Sequence, residues 1–329
     1  MPIEFRPATI NGTGCFISIQ GGSRSGKTVS ALRLATGLAG KTGKVAAIDT
    51  EGRRMSHHAK RFKFDVWNMG APYSPELFAD AAEKAQTDGY AALVTDSFSL
   101  EWNGEGGVIW LFEQAFAKVG RNDKKRDVCW SIAKAPHKAM RNRLMALTMP
   151  IIFCSRLNEV PKHLGGGWKP EQDQRWLYEW TVSLALHTDA PGLPSYNMSD
   201  PKGQPLEKVP PELAALFPPD RYIGEAAGEA LQDWRNGRPF SLRAEEQPKE
   251  DRRAADANRL IIKVRQTTTL AEFENIFASG PLREWLGRLR DSRPELYEDV
   301  QAAQKEAFAR LSNPADAPAT DQPEPPEET

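Results

Sequence analysis

The chain has 329 residues, of which 40% are hydrophobic and 26% are charged, so it can bury one large core or two ordinary ones and is not disordered throughout. Its 43 basic and 44 acidic residues nearly cancel, so the net charge alone indicates no anionic partner. No apolar run approaches the length of a membrane span and the first residues do not resemble a signal peptide, so we expect a soluble, cytoplasmic protein.

Short apolar segments alternate with helical patterns up to about residue 190. Six short segments rich in β-formers predict strands: Cys15–Gln20, Lys44–Ile48, Phe64–Asn68, Ala91–Thr95, Ile151–Ser155 and Thr181–Leu186. Four segments with helical spacing lie between them: Thr28–Ala39, Pro75–Thr87, Val108–Val119 and about Ser131–Leu147. We place Pro136 near the first turn of the last helix, where proline is tolerated. The alternation predicts an α/β fold with a mostly parallel sheet and flanking helices.

The composition then changes along the chain, and the changes predict domain boundaries. We predict a core domain over residues 1–235, with an edge hairpin at about 193–209 because prolines and a DPKG turn interrupt the pattern. Residues 236–253 are charged and poor in large apolar residues, which is typical of a linker. Helical spacing over 254–311 predicts a small helical domain, and the acidic, proline-rich residues 312–329 should be disordered. The three cysteines form no CxxC pair, which argues against a disulfide framework or a zinc site.

A glycine-rich segment directly after the first predicted strand matches the pattern G-x-x-x-x-G-K-[ST]. It comprises Gly21, Gly22, Ser23, Arg24, Ser25, Gly26, Lys27 and Thr28. Its glycines let the backbone curl so that N–H groups face a phosphate, and the start of the next helix adds a partial positive charge. We expect Lys27 to contact the outer phosphates and the Thr28 hydroxyl to bind Mg²⁺. The segment therefore predicts a site for a nucleoside triphosphate.

Two predicted strands end in acidic residues that suit the same chemistry. Asp96 follows the apolar strand Ala91–Thr95, which is a Walker B pattern, and is expected to position magnesium. Asp49 and Glu51 follow the strand Lys44–Ile48, and Glu51 suits the role of the base that activates water. Open α/β sheets bind ligands at the carboxyl ends of their strands, so these acids should meet the glycine-rich segment. The alternative is that Asp49 and Glu51 only cap the next helix or stay solvated.

These residues resemble those of RecA-type ATPases. The run Ile48–Gly52 resembles the strand end that carries the catalytic glutamate of RecA and RadA recombinases, and Asp96–Ser97 resembles their Walker B end. Over about residues 12–235 the chain is more closely similar to the compact RecA-like ATPases of bacteriophages, the AAA-family or Sak-type single-strand annealing and recombination proteins. This resemblance implies a RecA-like P-loop core that binds ATP and Mg²⁺, in which Glu51 activates water.

The resemblance also implies a sensor and an oligomer. In such proteins the strand after Walker B ends in a polar residue that senses the γ-phosphate, and Ile151–Ser155 is followed here by Arg156. Arg156 is therefore the candidate sensor, with an ordinary surface arginine as the alternative. Phe5 and Ala8 match the Phe-x-x-Ala tether that links RadA-type subunits, although this pattern fixes only two positions.

A basic segment follows the predicted Walker B strand, where RecA-like proteins face DNA. Between Lys118 and Arg143, nine basic residues stand against two acids, which predicts phosphate binding that weakens as salt rises. The candidate DNA-binding residues are Arg121, Lys124, Lys125, Arg126, Lys138, Arg141 and Arg143. Trp102, Trp110 and Trp130 flank the segment and are candidates for base stacking, although each alone is more typical of a core. A solvated helix face is the alternative for the whole segment.

Beyond Arg156, the glycine-rich segment Leu164–Pro170 lies where a second DNA-facing loop or a contact between subunits would fall. The leading hypothesis is a magnesium-dependent ATPase that acts on single-stranded DNA in phage recombination or replication. We expect a homo-oligomer in the cytoplasm of a bacterial host, with other phage recombination or replication proteins as further partners and no membrane. ATP is preferred to GTP because no [NT]KxD segment is present. A small-molecule or nucleotide kinase and a nucleotide-gated assembly protein without DNA are the alternatives.

Overall fold

The computed structural model describes residues 14–243 and 249–312. The chain divides into two compact units, residues 1–246 and residues 247–329. The predicted tether at Phe5 and Ala8 and the predicted tail beyond Ser312 lie outside the described residues.

The first unit is built on one sheet whose central strands are parallel. Its strands are β1 (Phe16–Gly21), β2 (Val45–Asp49), β3 (Asp65–Asn68), β4 (Ala92–Asp96), β5 (Ile151–Glu159), β6 (Trp168–Pro170), β7 (Val182–Leu186) and β8 (Pro194–Ser195). They are ordered β3-β2-β4-β5-β1-β7-β8, and β6 pairs with β5. The pairs β7–β8 and β5–β6 are antiparallel, whereas the other neighbours are parallel. The strand that ends at Asp96 is thus separated from β1 by β5, and the predicted α/β fold class with a mostly parallel sheet is confirmed.

Helices cover both faces of this sheet. In the first unit they are α1 (Lys27–Ala39), α2 (Pro75–Thr87), α3 (Ser99–Asn103), α4 (Val108–Lys118), α5 (Arg126–Met145), α6 (Trp176–Glu179) and α7 (Glu225–Arg235). Alternate residues of a strand point to opposite faces. Ile17 of β1 packs in the core that contains α1 and α7, and its neighbour Phe16 packs in the core that contains α2 and α5. Because both faces are covered, the central strands β1, β2, β4 and β7 are buried along their whole length.

The second unit is helical, as predicted. Its helices are α8 (Lys249–Arg265), α9 (Leu270–Ala278), α10 (Gly280–Ser292) and α11 (Pro294–Ser312). They share a small apolar core that includes Ile261, Phe273, Leu289 and Val300. Helix α8 begins at Lys249, so the helical region starts before the predicted end of the linker at residue 253.

Two predicted elements have different bounds in the structure. Helix α5 begins at Arg126 rather than Ser131, so Pro136 lies in the helix interior and not near the first turn. The earlier turns are stabilised because Cys129 and Ala133 pack against α4. This packing offsets the loss of the backbone hydrogen bond that proline cannot make. Strand β5 continues past Ser155 to Glu159 because β6 pairs with this extension.

All three cysteines are buried and free. Among the described residues, no helix is long and apolar enough to cross a bilayer.

Candidate nucleotide-binding site

The carboxyl ends of β1, β2, β4 and β5 border a cavity of about 520 Å³. The residues that line it are Gly22, Ser23, Arg24, Ser25, Gly26, Lys27, Thr28, Val29, Glu51, Arg54, His58, Asp96, Arg156, Leu157 and Asn158. The structure therefore brings together the residues that the sequence assigned to the triphosphate, the metal and the attacking water. Gly21 stands just before the cavity, at the end of β1.

The glycine-rich loop between β1 and α1 is a tight turn. Gly26 has a φ angle of 83°, a left-handed conformation that favours glycine. A Cβ atom at this position would lie 2.8 Å from the backbone nitrogen of Gly192, so there is no room for a side chain. The Ser25 hydroxyl donates to the Gly22 carbonyl at 2.9 Å, and the Gly192 N–H donates to the Ser25 carbonyl at 2.8 Å. These contacts hold the curl of the loop.

The start of α1 lacks the groups that usually neutralise a helix start. It has no side-chain cap and no acidic residue in its first turn. Helix α2, in contrast, begins with the Ser74 side chain accepting from the Leu77 N–H and carries Glu76 in its first turn. The first N–H groups of a helix have no intrahelical partner and carry a partial positive charge. The start of α1 therefore suits an anion such as a phosphate.

Lys27 lies across the loop that it follows. Its Nζ atom donates to the carbonyl oxygens of Gly21 and Gly22, both at 2.8 Å. Within the described part of the chain, no carboxylate forms an ion pair with it. A phosphate entering the cavity would offer the ammonium a charged acceptor, which makes a stronger hydrogen bond than a neutral carbonyl.

Thr28 and Asp96 form the candidate magnesium site. The Thr28 hydroxyl donates to Oδ2 of Asp96 at 2.5 Å. Asp96 is only 4% exposed, and burial raises the pKa of its carboxyl to about 6 against the opposing effect of the Thr28 hydrogen bond. A buried carboxyl beside a hydroxyl fits Mg²⁺, which takes oxygen ligands and keeps several waters. No cluster of three His, Cys, Asp or Glu side chains that could hold a metal occurs among the described residues.

Asp49 and Glu51 do different things, although they stand two residues apart. Asp49 is 1% exposed, and its carboxylate accepts the N–H groups of Glu51 at 2.8 Å and Met55 at 2.9 Å. Asp49 thus fixes the turn that follows β2, which is the capping role considered as an alternative. Glu51 instead lines the cavity.

Glu51 and Arg156 form an ion pair across the cavity. Atoms Nη2 and Nε of Arg156 lie 2.8 and 3.2 Å from Oε1 of Glu51. Arg54 lies 3.9 Å from the other carboxylate oxygen. The backbone of Arg156 is held as well, since its N–H donates to Oγ of Ser99 at 2.8 Å. The candidate base and the candidate sensor are therefore in contact, and a γ-phosphate would compete with Glu51 for the guanidinium group.

Thr50, Arg54 and His58 lie at the site but were not among the candidate site residues named from the sequence. Thr50 donates to the Ser97 carbonyl at 2.9 Å and accepts from the Ser97 N–H at 2.8 Å. This pair ties the ends of β2 and β4 together and so keeps Glu51 and Asp96 at one edge. Arg54 and His58 also line the cavity, and burial lowers the pKa of His58. The sequence feature that could have identified Arg54 and His58 is their position shortly after the strand that leads to Glu51.

The arginines of the basic segment are held by acids. Arg143 donates to Asp80 at 2.6 Å and to both carboxylate oxygens of Glu83 at 2.6 and 2.8 Å. Arg141 lies 3.5 Å from Glu179.

The other two arginines have acidic partners as well. Arg121 lies 3.2 Å from Glu113, and Arg126 lies 3.6 Å from Asp123. The lysines differ, because Lys124, Lys125 and Lys138 are exposed and form no ion pair among the described residues. The segment is thus not one uniformly cationic face, and its role in DNA binding stays a prediction.

The tryptophans near this segment mostly pack inside the unit. Trp102 and Trp130 lie parallel with 6.3 Å between ring centroids. Lys134 lies over both rings and pairs with the buried Asp173 at 2.7 Å. The core alternative therefore describes Trp102 and Trp130, whereas Trp110 is partly exposed.

No protein-family model and no curated protein matches this chain. Among solved structures, the KaiC-like protein PH0186 from the hyperthermophilic archaeon Pyrococcus horikoshii OT3 is similar, with a TM-score of 0.31 and 14% identity. The similarity covers 54% of this chain and 72% of that chain. A similarity this low says nothing about what this chain binds, so its ligand is inferred from its own residues.

Proposed function

We propose that this protein is a magnesium-dependent ATPase with a RecA-like core that acts on single-stranded DNA. The supporting observation is the convergence of four features in one cavity. These are an uncapped helix start, a lysine that forms no ion pair with a described carboxylate, a threonine hydroxyl bonded to a buried aspartate, and a glutamate held by an arginine. Each feature supplies one requirement of triphosphate hydrolysis, namely binding, charge neutralisation, metal positioning and activation of water.

The residues divide this work between them. The loop amides and Lys27 bind the phosphates, and Thr28 and Asp96 hold the magnesium, which neutralises phosphate charge when bound. Glu51 accepts a proton from the attacking water, or orients it. Arg156 leaves Glu51 for the γ-phosphate when a triphosphate is bound, because the phosphate carries more negative charge than one carboxylate. Glu51 is then free to act only when its substrate is in place.

The biological part of the proposal draws on the resemblance to bacteriophage RecA-like ATPases of the AAA-family or Sak type. The glycine-rich loop, Ile48–Gly52 and Asp96–Ser97 carry that resemblance. From it we propose a homo-oligomer in the bacterial cytoplasm that takes part in phage recombination or replication. Other phage proteins of these processes are its proposed partners.

ATP hydrolysis with and without single-stranded DNA, at two salt concentrations, tests the proposal. We expect hydrolysis to require Mg²⁺, to rise with DNA, and to lose the DNA effect at the higher salt concentration because the strand then binds weakly. Turnover that needs a small-molecule acceptor and ignores DNA would favour a kinase instead. Binding of ATP that changes only the oligomeric state would favour an assembly protein.

A further inference from the structure

A second cavity in the first unit, of about 500 Å³, lies away from the glycine-rich loop. Its walls come from β6 and α6, from the turn over residues 200–206, and from Gln20 of β1. We call it the Trp168 cleft. Its volume falls in the range of small-ligand sites and suits one nucleotide unit.

Three cations line the Trp168 cleft: Lys169, Arg175 and Lys202. All three are exposed, and none forms an ion pair with another described residue. The acid in the lining is Asp200, whose Oδ1 accepts the N–H groups of Lys202 at 2.8 Å and Gln204 at 2.9 Å. That carboxylate holds the turn, so the cleft presents more positive than negative charge to a ligand.

Aromatic rings stand beside these cations. Tyr178 is 82% exposed, although its helix is firmly placed. Lys208 donates to the carbonyls of Leu177 at 3.2 Å and Tyr178 at 3.4 Å. Trp168 is half-buried and lines the same cleft. Aromatic rings next to unpaired cations are the combination with which proteins hold single-stranded nucleic acid, since bases stack on the rings and phosphates meet the cations.

The floor of the cleft contains buried polar groups without partners. Gln20 is 2% exposed, and its Nε2 donates to Ser18 at 3.1 Å and Ser183 at 3.0 Å, but its Oε1 has no partner. Trp180 is 1% exposed, and its Nε1 donor has no partner either. Buried polar groups are normally hydrogen-bonded. Both atoms are enclosed by the protein, so they make the floor polar but do not themselves reach a ligand in the cleft.

We propose that the Trp168 cleft binds single-stranded DNA by holding one unstacked nucleotide. The base stacks on Tyr178, and the neighbouring phosphates contact Lys169, Arg175 and Lys202. This inference rests on the proposed function, because it takes the strand as the substrate. The proposal places the DNA on β6 and α6 of the first unit rather than on the paired arginines of α5.

The position of the Trp168 cleft also brings the bound DNA near the cavity at the glycine-rich loop, which we call the nucleotide cavity. Lys169 pairs across the antiparallel strands with Asn158. Asn158 lines the nucleotide cavity, and Lys169 lines the Trp168 cleft. The same two-stranded segment therefore borders both sites.

The experiment measures binding of a fluorescein-labelled oligothymidylate by fluorescence anisotropy at several salt concentrations. We expect the combined change Lys169→Ala, Arg175→Ala and Lys202→Ala to weaken binding at least about tenfold and to reduce the salt slope by about 2, as three lost phosphate contacts predict. The matched control is the combined change Lys41→Ala, Lys44→Ala and Lys63→Ala, which also removes three exposed cations. It should leave binding unchanged, because these lysines precede β2 and β3 at the opposite edge of the sheet. Equal losses in the two variants, or no loss in the first, would overturn the proposal.

Tyr178 offers a second measurement that does not depend on charge. Tyr178→Ala should weaken binding roughly tenfold, whereas Tyr178→Phe keeps the ring and should bind as the wild type does. Equal binding by both variants would contradict a stacked base. Thymidine monophosphate should displace the oligonucleotide only at far higher concentration, and displacement at equal concentration would make the cleft a mononucleotide site.

The failures of the two proposals can be told apart. A wild-type protein that hydrolyses ATP but binds no oligonucleotide would overturn both the DNA part of the proposed function and the cleft. Undiminished binding by the cleft variants, with a wild-type protein that does bind DNA, would overturn the cleft alone. The thermal shift caused by Mg-ATP should be the same in every variant, which checks that the first unit is folded.

Discussion

Lys27 in the nucleotide cavity and Arg143 on helix α5 are both basic residues, but their charges have opposite surroundings. Lys27 contacts only backbone carbonyls, whereas Arg143 is held by Asp80 and Glu83. A charge paired with acids contributes modestly to stability and has little capacity left for a ligand. A charge without an acidic partner remains available to an anion. The comparison teaches that a basic run in a sequence does not by itself indicate a ligand site, because the tertiary structure decides which of its charges are already paired with acids.

The largest effect is expected from Glu51→Gln, which tests whether the glutamate of the ion pair in the cavity takes part in ATP hydrolysis. Hydrolysis should fall by about 10²–10⁴-fold because the amide cannot accept the proton of water, while ATP binding should persist. The matched control is Glu83→Gln, because Glu83 also pairs with an arginine but lies on α2 away from the cavity. Single-turnover ATPase assays measure both variants, and a fully active Glu51→Gln protein would contradict the assignment of the base.

Lys27→Ala should weaken Mg-ATP binding by about 100-fold, since it removes charged hydrogen bonds to the phosphates. Isothermal titration calorimetry measures the affinity. Lys138→Ala removes an exposed lysine of α5 and is the control, with no expected change. If both variants bound ATP equally well, the contrast between the cavity and α5 would fail.

Asp96→Asn should change function and stability in opposite directions, and its stability relative to the wild type should depend on pH. Burial raises the pKa of Asp96 to about 6, so its ionised form is disfavoured in the folded protein. The contribution of Asp96 to stability is therefore lost as the pH rises through about 6. At pH 8 the nucleotide-free variant should be more stable than the wild type by up to the order of 2–3 kcal/mol, and the difference should vanish in acid.

The same variant should lose the thermal stabilisation that Mg-ATP provides, because an amide is a poor ligand for magnesium. Differential scanning calorimetry from about pH 3.5 to pH 8, with and without Mg-ATP, measures both effects, because the difference in stability vanishes only below the pKa of an unfolded aspartate. Asp49→Asn is the control, since Asp49 accepts two backbone N–H groups. That change should lower the free energy of unfolding by about 1 kcal/mol. A destabilised Asp96→Asn protein at pH 8 would argue against a buried charge in the cavity.

The smallest effect is expected from Arg143→Ala on α5. It should lower the free energy of unfolding by about 1 kcal/mol at pH 7 and leave hydrolysis unchanged. The hydrogen bond from Arg143 lowers the pKa of Glu83, so this contribution is present at neutral pH and is lost as the pH falls and Glu83 takes up a proton. Urea unfolding at pH 7 and in acid measures it. A large loss of ATPase activity would mean that α5 serves the site after all.

Much of the fold and of the site could be predicted because the signals are local. The helix over Pro75–Thr87 has the same bounds in the structure as in the prediction, and the glycine-rich loop lies between a strand and a helix as expected. The differences come from contacts between distant segments. Strand β5 is longer because β6 pairs with its end, and α5 starts earlier because it packs against α4.

The sequence by itself determined the α/β class, the phosphate loop and the acids at the strand ends. These depend on hydrophobic periodicity and on motifs of adjacent residues. The tertiary structure alone decided which charged groups stay unpaired. Glu51 meets Arg156 across 105 positions of the chain, and Arg143 meets Glu83 across 60. Such pairing depends on strand register and on which helix faces meet, and no local pattern contains that information.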